Sequence, residues 1–223
     1  MSKDTHININ IRKKKMQFKV ILAVVAVSAS SLASAQWYGG ASIGSSNASV
    51  DTSGMIVTGA TASSVSKNES DTGYKLLAGY QFHPNFALEG GYVNLGKLSA
   101  SLNVTAPAVG SLNVDYKADG WNLMAIGILP VSNDFSLLGK IGGFYSTTKG
   151  DASTTGAVVL LPGQQTSLSK SEFNLAYGLG LQYNINKSIS VRGELERFAD
   201  LRPSDAANKA NVDLYSIGLI YKF

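Results

Sequence analysis

The hydrophobic pattern of the chain has a period of two residues over much of its length. About eight segments of roughly nine to thirteen residues carry an apolar or aromatic side chain at every second position, which is typical of a β-strand with one apolar face. No apolar period of 3.6 residues persists for three turns, and after residue 35 no 18 consecutive residues are apolar, so we expect few helices and no membrane-spanning helix. The predicted strands are residues 37–46, 72–82, 86–95, 119–130, 135–147, 172–183, 188–198 and 212–223.

The connections between these segments alternate in length. Residues 83–85, 131–134 and 184–187 are rich in Pro, Asn, Asp and Ser, which predicts three tight turns. The other connections are long and rich in Ser, Thr, Ala, Gly and Asn. Such an alternation is expected of an eight-stranded meander whose two termini lie at the short-turn end. The predicted long loops are residues 47–71, 96–118, 148–171 and 199–211.

Eight alternating strands fit either a soluble barrel or sandwich with its apolar face inward, or a membrane barrel with its apolar face outward. Aromatic residues near the ends of the apolar stripes, such as Trp37, Trp121 and Tyr183, suit the two membrane interfaces. The opposite faces hold Gly, Ser and few charges, in a chain that is only 15% charged. The sequence therefore predicts an all-β protein, an eight-stranded antiparallel up-and-down transmembrane β-barrel. The predicted charged residues of its lumen are Lys75, Glu89, Lys140, Arg192 and Glu194.

The N-terminal segment has the three parts of a secretory signal peptide. Basic residues precede an apolar stretch at residues 20–27, and small residues follow up to Ala35. A membrane anchor is the alternative, but the apolar stretch is much shorter than the roughly 20 residues that a spanning helix needs. We therefore expect residues 1–35 to be removed and residues 36–223 to form the barrel domain.

Removal of this segment changes the charge of the protein. Residues 1–35 contain six of the 19 basic residues and one of the 15 acidic ones, so residues 36–223 are nearly neutral. The basic character of the whole chain thus belongs to the export signal, and no nucleic-acid partner is expected. The chain also has no cysteine, so the exported domain must be stable without disulfides.

The C-terminal sequence SIGLIYKF is an apolar alternating strand that ends on an aromatic residue. Free chain ends are usually poorly ordered, whereas the last strand of a barrel is held because it closes against the first. Tyr221 and Phe223 would then face the lipid. We interpret them as the C-terminal signal that the outer-membrane assembly machinery recognises in barrels of this class.

Five stretches, taken in order, resemble the transmembrane domain of the OmpA family. They are WYGGASIG (37–44), GYQFHPNFALEGGYVNLG (79–96), LPVSNDFSLLGKIGGFY (129–145), GLGLQYNINKSISVRGELERF (178–198) and LYSIGLIYKF (214–223). The resemblance implies a barrel in the outer membrane of a Gram-negative bacterium, among phospholipid and lipopolysaccharide. The larger family often adds a periplasmic peptidoglycan-binding domain, and because this sequence stops at the last strand we expect the barrel alone.

The resemblance also implies an interior crossed by hydrogen bonds and salt bridges, with no wide channel. Glu89 and Arg192 match an acid and a base that pair there, and Lys140 and Glu194 match further charged positions. Ile126 and Gln182 stand where the best-known member has a lysine and a glutamate. We therefore expect an oppositely charged pair to be missing from the network, which argues against inherited gating.

The chain offers little for catalysis. His83, in a predicted turn, is the only histidine after residue 35, and without cysteine there is no Ser–His or Cys–His site, no plausible zinc site and no expected cofactor. We predict a non-enzymatic barrel with a structural role, whose long loops contact host cells or other surfaces. An outer-membrane enzyme would need a loop acid such as Asp151 or Asp205.

A narrow pore or transporter for small solutes is the alternative function. Four inward-phase residues make one side of the lumen unusually apolar, which suits a hydrophobic conduit of the OmpW type. They are Met124, Ile126, Ile128 and Leu138.

Overall fold

The structure, a computed structural model, describes residues 36–49, 62–106, 108–159, 166–202, 204 and 210–223. Nearly all of these residues belong to antiparallel β-strands. The strands are β1 (Gln36–Ser49), β2 (Ala62–Asn68), β3 (Ser70–His83), β4 (Phe86–Ala106), β5 (Gly110–Pro130), β6 (Phe135–Gly156), β7 (Ser167–Asn184), β8 (Ile189–Leu201) and β9 (Ala210–Lys222).

Eight of the strands close into a ring. Consecutive strands pair from β3 to β9, and β1 closes the ring between β3 and β9. The ninth strand, β2, lies outside this ring order and pairs with the far end of β4. The predicted eight-stranded antiparallel barrel is confirmed. We call the end of the barrel with the short turns the lower end and the opposite end the upper end.

The outer surface of the ring carries a continuous apolar belt. Large side chains such as Leu179 and Ile217 are more than half exposed on it. On β6 the belt runs from Phe135 to Tyr145. The roughly 33 Å of strand between them, at about 3.3 Å per residue, projects to roughly 25 Å at a strand tilt of about 40°, which is the height of the apolar band of an outer-membrane barrel. No helix in the described part of the chain is long and apolar enough to cross a membrane.

Several strands are much longer than the alternation predicted. The supposed loop 96–118 is mostly strand, because β4 continues to Ala106 and β5 begins at Gly110. The supposed loop 148–171 is shortened in the same way by β6 and β7. Within the supposed loop 47–71, β2 forms and β3 begins at Ser70. The predicted upper ends of β3 to β7 were therefore wrong and β2 was not predicted, whereas the three short turns lie where they were expected.

A β-bulge explains why the sequence pattern concealed the upper half of β4. The β4–β5 register shifts between Asn94 and Lys97, and Gly96 within this bulge has a φ of 76°. The extra residue reverses the parity of the strand, so that Leu95 and then Leu98 face inward. An alternation counted from Phe86 therefore breaks at this point, although the strand continues.

A second bulge ends β8. The β8–β9 register shifts between Phe198 and Leu201, and Asp200 there has a φ of 61°. Asp tolerates this left-handed conformation better than most residues. The shift turns Leu201 inward, where it is 3% exposed. The predicted loop 199–211 is correspondingly shorter, and the predicted signal peptide lies outside the described residues.

The upper extensions form a wall above the apolar belt, which we call the tall wall. It consists of residues 62–68 of β2, 97–106 of β4, 110–118 of β5, 147–156 of β6 and 167–172 of β7. Its strands pair in the order β2, β4, β5, β6, β7. On β4 the inward row is apolar and buried, including Leu98, Leu102 and Val104. The barrel is thus taller on one side than on the other.

Candidate functional site

Six charged side chains meet in the middle of the lumen. They come from four strands, and each is less than a tenth exposed. Their inward direction follows from the alternation, since the intervening residues of each strand face the lipid. We call this group the ion cluster: Lys75 on β3, Glu89 on β4, Lys140 on β6, and Arg192, Glu194 and Glu196 on β8.

Small cross-strand neighbours make room for these long side chains. Gly79 lies opposite Glu89, Gly178 lies opposite both Lys140 and Glu196, and Gly218 lies opposite Arg192. At Gly79 the missing Cβ leaves space for the ring of Tyr38, since a Cβ would lie 2.2 Å from it. The glycines of these strands therefore determine where charged side chains fit in a narrow barrel.

Lys140 is the centre of the ion cluster. Its Nζ lies 3.0 Å from Glu89 Oε2, 2.5 Å from Glu194 Oε1 and 3.1 Å from Glu196 Oε1. Lys75 forms ion pairs with both Glu194 and Glu196. One lysine thus contacts all three carboxylates, and the second contacts two of them.

Arg192 connects the ion cluster to the lower part of the lumen. Its guanidinium forms an ion pair with Glu89. Nε and Nη2 of Arg192 also donate hydrogen bonds to Gln182 Oε1 at 3.0 and 2.9 Å. The hydroxyl of Tyr38 donates to Glu89 Oε1 at 2.8 Å, and the Arg192 guanidinium lies 5.6 Å from the centre of the Tyr38 ring. Each polar group in this part of the cluster has a neutral or charged partner.

The six charges of the ion cluster balance. The resemblance implied that one pair of opposite charges is missing at Ile126 and Gln182, and such a loss removes one base and one acid together. The structure has three bases and three acids in contact, because Lys75 and Glu196 take part, and Gln182 serves as a neutral acceptor for Arg192. Such balance matters because an unpaired buried charge costs several kcal/mol.

Glu196 is the member of the ion cluster that sequence reasoning missed. It is 2% exposed and contacts both lysines. A signal was present, because Glu196 has the same strand phase as Arg192 and Glu194. The structure brings together all six residues that the sequence assigned to the lumen network: Lys75, Glu89, Lys140, Gln182, Arg192 and Glu194.

Apolar side chains fill the lumen above and below the ion cluster. The interior therefore contains more than the hydrogen bonds and salt bridges that the resemblance implied. Above the cluster, Phe144 and Phe198 are both 0% exposed, and their rings meet edge to face with centroids 4.8 Å apart. The other buried apolar residues of this upper layer include Val93, Leu95, Ala176, Val212 and Leu214, and those of the lower layer include Ala87, Met124, Ile126, Leu138 and Ile220.

The aromatic residues singled out in the sequence lie at the two ends of the belt. Trp37 and Tyr183 are at the lower end, where their rings meet those of Tyr80 and Phe135. Trp121 is at the upper end, 65% exposed, in a cross-strand row with Tyr92, Tyr145 and Phe173. Aromatic side chains thus lie at both ends of the belt, and at the upper end they form a continuous row from β4 to β7.

The C-terminal strand is held in the barrel up to its last residue. The backbone N–H of Phe223 donates to the carbonyl of Trp37 at 2.9 Å, and Gln36 Nε2 donates to the carbonyl of Phe223 at 3.2 Å. The rings of Tyr221 and Phe223 touch edge to face on the outer surface. These contacts attach the end of β9 to the start of β1.

The two remaining candidate residues that the structure describes, His83 and Asp151, lie at opposite ends of the barrel. His83 lies at the lower end, where its Nδ1 accepts a hydrogen bond from the backbone N–H of Asn85. Asp151 is exposed on the tall wall, and Asp205 lies outside the described residues. Within the described residues no three His, Cys, Asp or Glu side chains could hold a metal ion.

Residues 32–223 match the family model of the OmpA-like transmembrane domain. An uncharacterized protein of Coxiella burnetii is 28% identical over 198 residues, which are 80% of this chain and 79% of that protein. The crystal structure of Neisserial surface protein A (NspA) is 12% identical, covers 84% of this chain and 97% of its own, and has a TM-score of 0.50. That of Ail, the attachment invasion locus protein of Yersinia pestis, is 19% identical over 84% and 99% of the two chains, with a TM-score of 0.47.

Proposed function

The chain belongs to the family of OmpA-like transmembrane domains and lies in the bacterial outer membrane, and we propose that it serves there as a closed, non-enzymatic barrel. In this role the barrel is a structural support, and its extracellular end supplies a surface for contact or adhesion. The short turns face the periplasm and the tall wall faces outward, as in other outer-membrane barrels.

The filled lumen is the observation that carries this proposal. The ion cluster spans the barrel from β3 to β8, and its members are each less than a tenth exposed. The upper apolar layer blocks the lumen at a second level above the ion cluster, where Phe144 and Phe198 are 0% exposed. A solute would have to separate paired buried charges and displace this layer.

A narrow pore or transporter is the competing function. Its support in the sequence was the apolar side of the lumen. Met124, Ile126 and Leu138 are each no more than 3% exposed, so these residues pack against their neighbours. Packed in this way, they serve a filled interior better than an apolar conduit.

Conductance in a planar bilayer tests the proposal. We expect no steady current from the refolded wild-type protein, and none from Glu89→Ala, because the upper apolar layer remains closed when the ion cluster is broken. Folding of the same protein preparation is verified by the shift in gel mobility between unheated and boiled samples. Steady openings of the wild type whose size changes in Glu89→Ala would overturn the proposal.

The contact surface is tested separately. We expect replacement of residues 98–116 by a short turn to reduce adhesion of expressing cells to a target surface while the heat-dependent gel shift persists. Unchanged adhesion would remove the tall wall from the proposed role.

Lipid or peptide turnover that disappears on Asp151→Asn would contradict a non-enzymatic barrel.

Processing and assembly complete the proposal. If residues 1–35 are removed on export, Gln36 is the first residue of the protein in the outer membrane. N-terminal sequencing of the protein isolated from that membrane checks this. Tyr221 and Phe223 are proposed as the signal for the assembly machinery. We expect deletion of Phe223 to lower the amount of barrel inserted in cells more than the amount refolded in detergent.

A further inference from the structure

At Gly193 on β8, one outward position of the apolar belt has no side chain. Its cross-strand neighbours, Leu181 on β7 and Ile217 on β9, face the lipid and are more than half exposed. A Cβ added at Gly193 would have no described atom within 4 Å. An open groove of about 640 Å³ lies over this glycine, between Leu181, Leu195 and Ile217. We call this groove the Gly193 gap.

The chain covers other outward glycines with its own side chains. Gly143 on β6 also faces the lipid, but a Cβ there would lie 2.0 Å from the ring of Phe173, which covers it. At Gly90 on β4, a Cβ would lie 3.8 Å from the side chain of Leu123. Within the described residues Gly193 has no such cover. In the membrane it therefore contacts either acyl chains or another protein.

A ridge of large side chains stands beside the Gly193 gap. Leu179 and Leu181 on β7 both face the lipid and are 66% and 57% exposed. We call these two residues the leucine ridge. On the other side of the ridge, Gly127 and Gly139 lie directly opposite each other on β5 and β6, under a second groove of about 480 Å³. The leucine ridge therefore projects beyond the surface on both of its sides.

The Gly193 gap and the leucine ridge lie at the same depth in the membrane. Leu181 is directly opposite Gly193, and Leu179 is two residues above Leu181 on β7. With strands about 4.8 Å apart, about 3.3 Å per residue and a tilt of about 40°, Gly193 lies roughly 3 Å above Leu181 and roughly 2 Å below Leu179. The two leucines thus bracket the height of the glycine.

Equal depth makes this face complementary to itself. All copies of the barrel are inserted in the same direction, so a two-fold axis that relates two copies must run along the membrane normal and preserve depth. An axis between β7 and β8 places the leucine ridge of each copy against the Gly193 gap of the other, so the same contact forms twice. Close packing at small residues is what drives association within lipid, where apolar surface alone does not.

The face is large enough for a stable interface. Eight apolar side chains around the ridge and the gap are between two-fifths and two-thirds exposed. At roughly 100 Å² each they would bury about 800 Å² per copy, which is the size of a standard interface. The eight are Ile43, Leu137, Tyr177, Leu179, Leu181, Leu195, Tyr215 and Ile217.

The charges at the top of this face are already paired. Nε and Nη2 of Arg197 on β8 donate to the carboxylate of Asp213 on β9 at 2.6 and 2.7 Å. Below this pair, no described Lys, Arg, Asp or Glu of β7, β8 or β9 faces the lipid within the belt. Two copies can therefore meet here without bringing unpaired charges together.

We propose that the outward face of β6 to β9 is the interface of a symmetric dimer, in which the leucine ridge of each copy fills the Gly193 gap of the other. The gap is then covered by protein instead of acyl chains. This inference does not depend on whether the lumen conducts or on what the tall wall contacts.

Energy transfer between labelled copies tests the dimer. Lys187→Cys places a single cysteine in the lower turn between β7 and β8, in a chain that has no other. Donor-labelled and acceptor-labelled proteins are refolded together in phosphatidylcholine vesicles over a range of protein-to-lipid ratios. We expect energy transfer above the level of random collisions, which falls on dilution with lipid and on addition of unlabelled protein.

Gly193→Leu fills the gap without crowding the single barrel, because no described atom lies within 4 Å of the added Cβ. The protein-to-lipid ratio at half-maximal transfer should rise at least about tenfold, since excess bulk in a packed interface is unfavourable as it is in a core. Gly90→Leu is the matched control, because Gly90 faces the lipid on β4, at the opposite side of the ring. It should keep the wild-type ratio, and the heat-dependent gel shift verifies that both variants fold.

Three results would overturn the proposal. Wild-type transfer no greater than that of random collisions would mean that acyl chains fill the Gly193 gap. Transfer that is unchanged in Gly193→Leu would place the contact on another surface. An equal loss in Gly193→Leu and Gly90→Leu would mean that added bulk anywhere on the belt prevents association.

Discussion

Replacement of Lys140 by methionine is the sharpest test of the packed interior. Methionine keeps most of the length of the side chain and removes the charge. The three carboxylates of Glu89, Glu194 and Glu196 would then share only Lys75 and Arg192. The change therefore leaves one excess negative charge in a region that is almost completely buried.

The expected loss of stability is the cost of one unpaired buried charge, although Lys140→Met removes three contacts. Lys75 still contacts two of the carboxylates and Arg192 still pairs with the third, so only one of the three lacks compensation. Removal of one partner of a buried ion pair costs about 3–5 kcal/mol. We expect Lys140→Met to lower the free energy of unfolding by about this amount.

A second substitution should restore most of the stability. In Lys140→Met/Glu196→Gln, the remaining charges form two separate pairs, Lys75 with Glu194 and Arg192 with Glu89. The double variant should lie within about 1–2 kcal/mol of the wild type, because two contacting residues are strongly coupled. Equilibrium unfolding in urea, with the protein in lipid vesicles, gives the three free energies.

Lys187→Met serves as the control for loss of an exposed lysine and should change stability by no more than about 0.5 kcal/mol. The reasoning is refuted if Lys140→Met is as stable as this control. It is also refuted if the double variant is less stable than Lys140→Met alone, since the excess charge would then not be the cause.

Two further substitutions test the upper layer and the bulge. Phe144→Ala removes a fully buried ring that contacts Phe198 and should cost about 3–5 kcal/mol in the same unfolding assay; a loss below about 1 kcal/mol would mean that the upper layer is loosely packed. Gly96→Ala places a Cβ 2.8 Å from Asp71 Oδ2 at a φ of 76°, so it should destabilise the barrel by more than about 1 kcal/mol, and equal or greater stability would contradict the bulge.

Alternation along the chain was sufficient to predict the barrel and the direction of most lumen side chains. Lipid and lumen impose opposite chemistry on neighbouring residues, so a pattern such as Phe173 to Tyr183 identifies a strand with one apolar face, and the aromatic residues at the ends of the stripes favoured the membrane barrel over a soluble one. The short turns were equally clear, because Pro and Asn interrupt the apolar pattern where the chain reverses.

The misses have two physical causes. The tall wall was missed because the bulge at Gly96 reverses the strand parity, and because its polar outward face resembles loop composition. Glu196 was missed because strand phase does not say which inward charges meet across the barrel. That depends on the shear of the strands and on where Gly79, Gly178 and Gly218 leave space.

The distribution of the ion cluster along the chain has a consequence for assembly. The strands up to β6 carry Lys75, Glu89 and Lys140, with one positive charge in excess, whereas β8 carries Arg192, Glu194 and Glu196, with one negative charge in excess. A barrel whose last three strands have not yet docked therefore holds unbalanced charge at its centre. Closure of β7 to β9 neutralises both halves at once, so the final step of insertion is favoured by electrostatic attraction between the first and last parts of the chain.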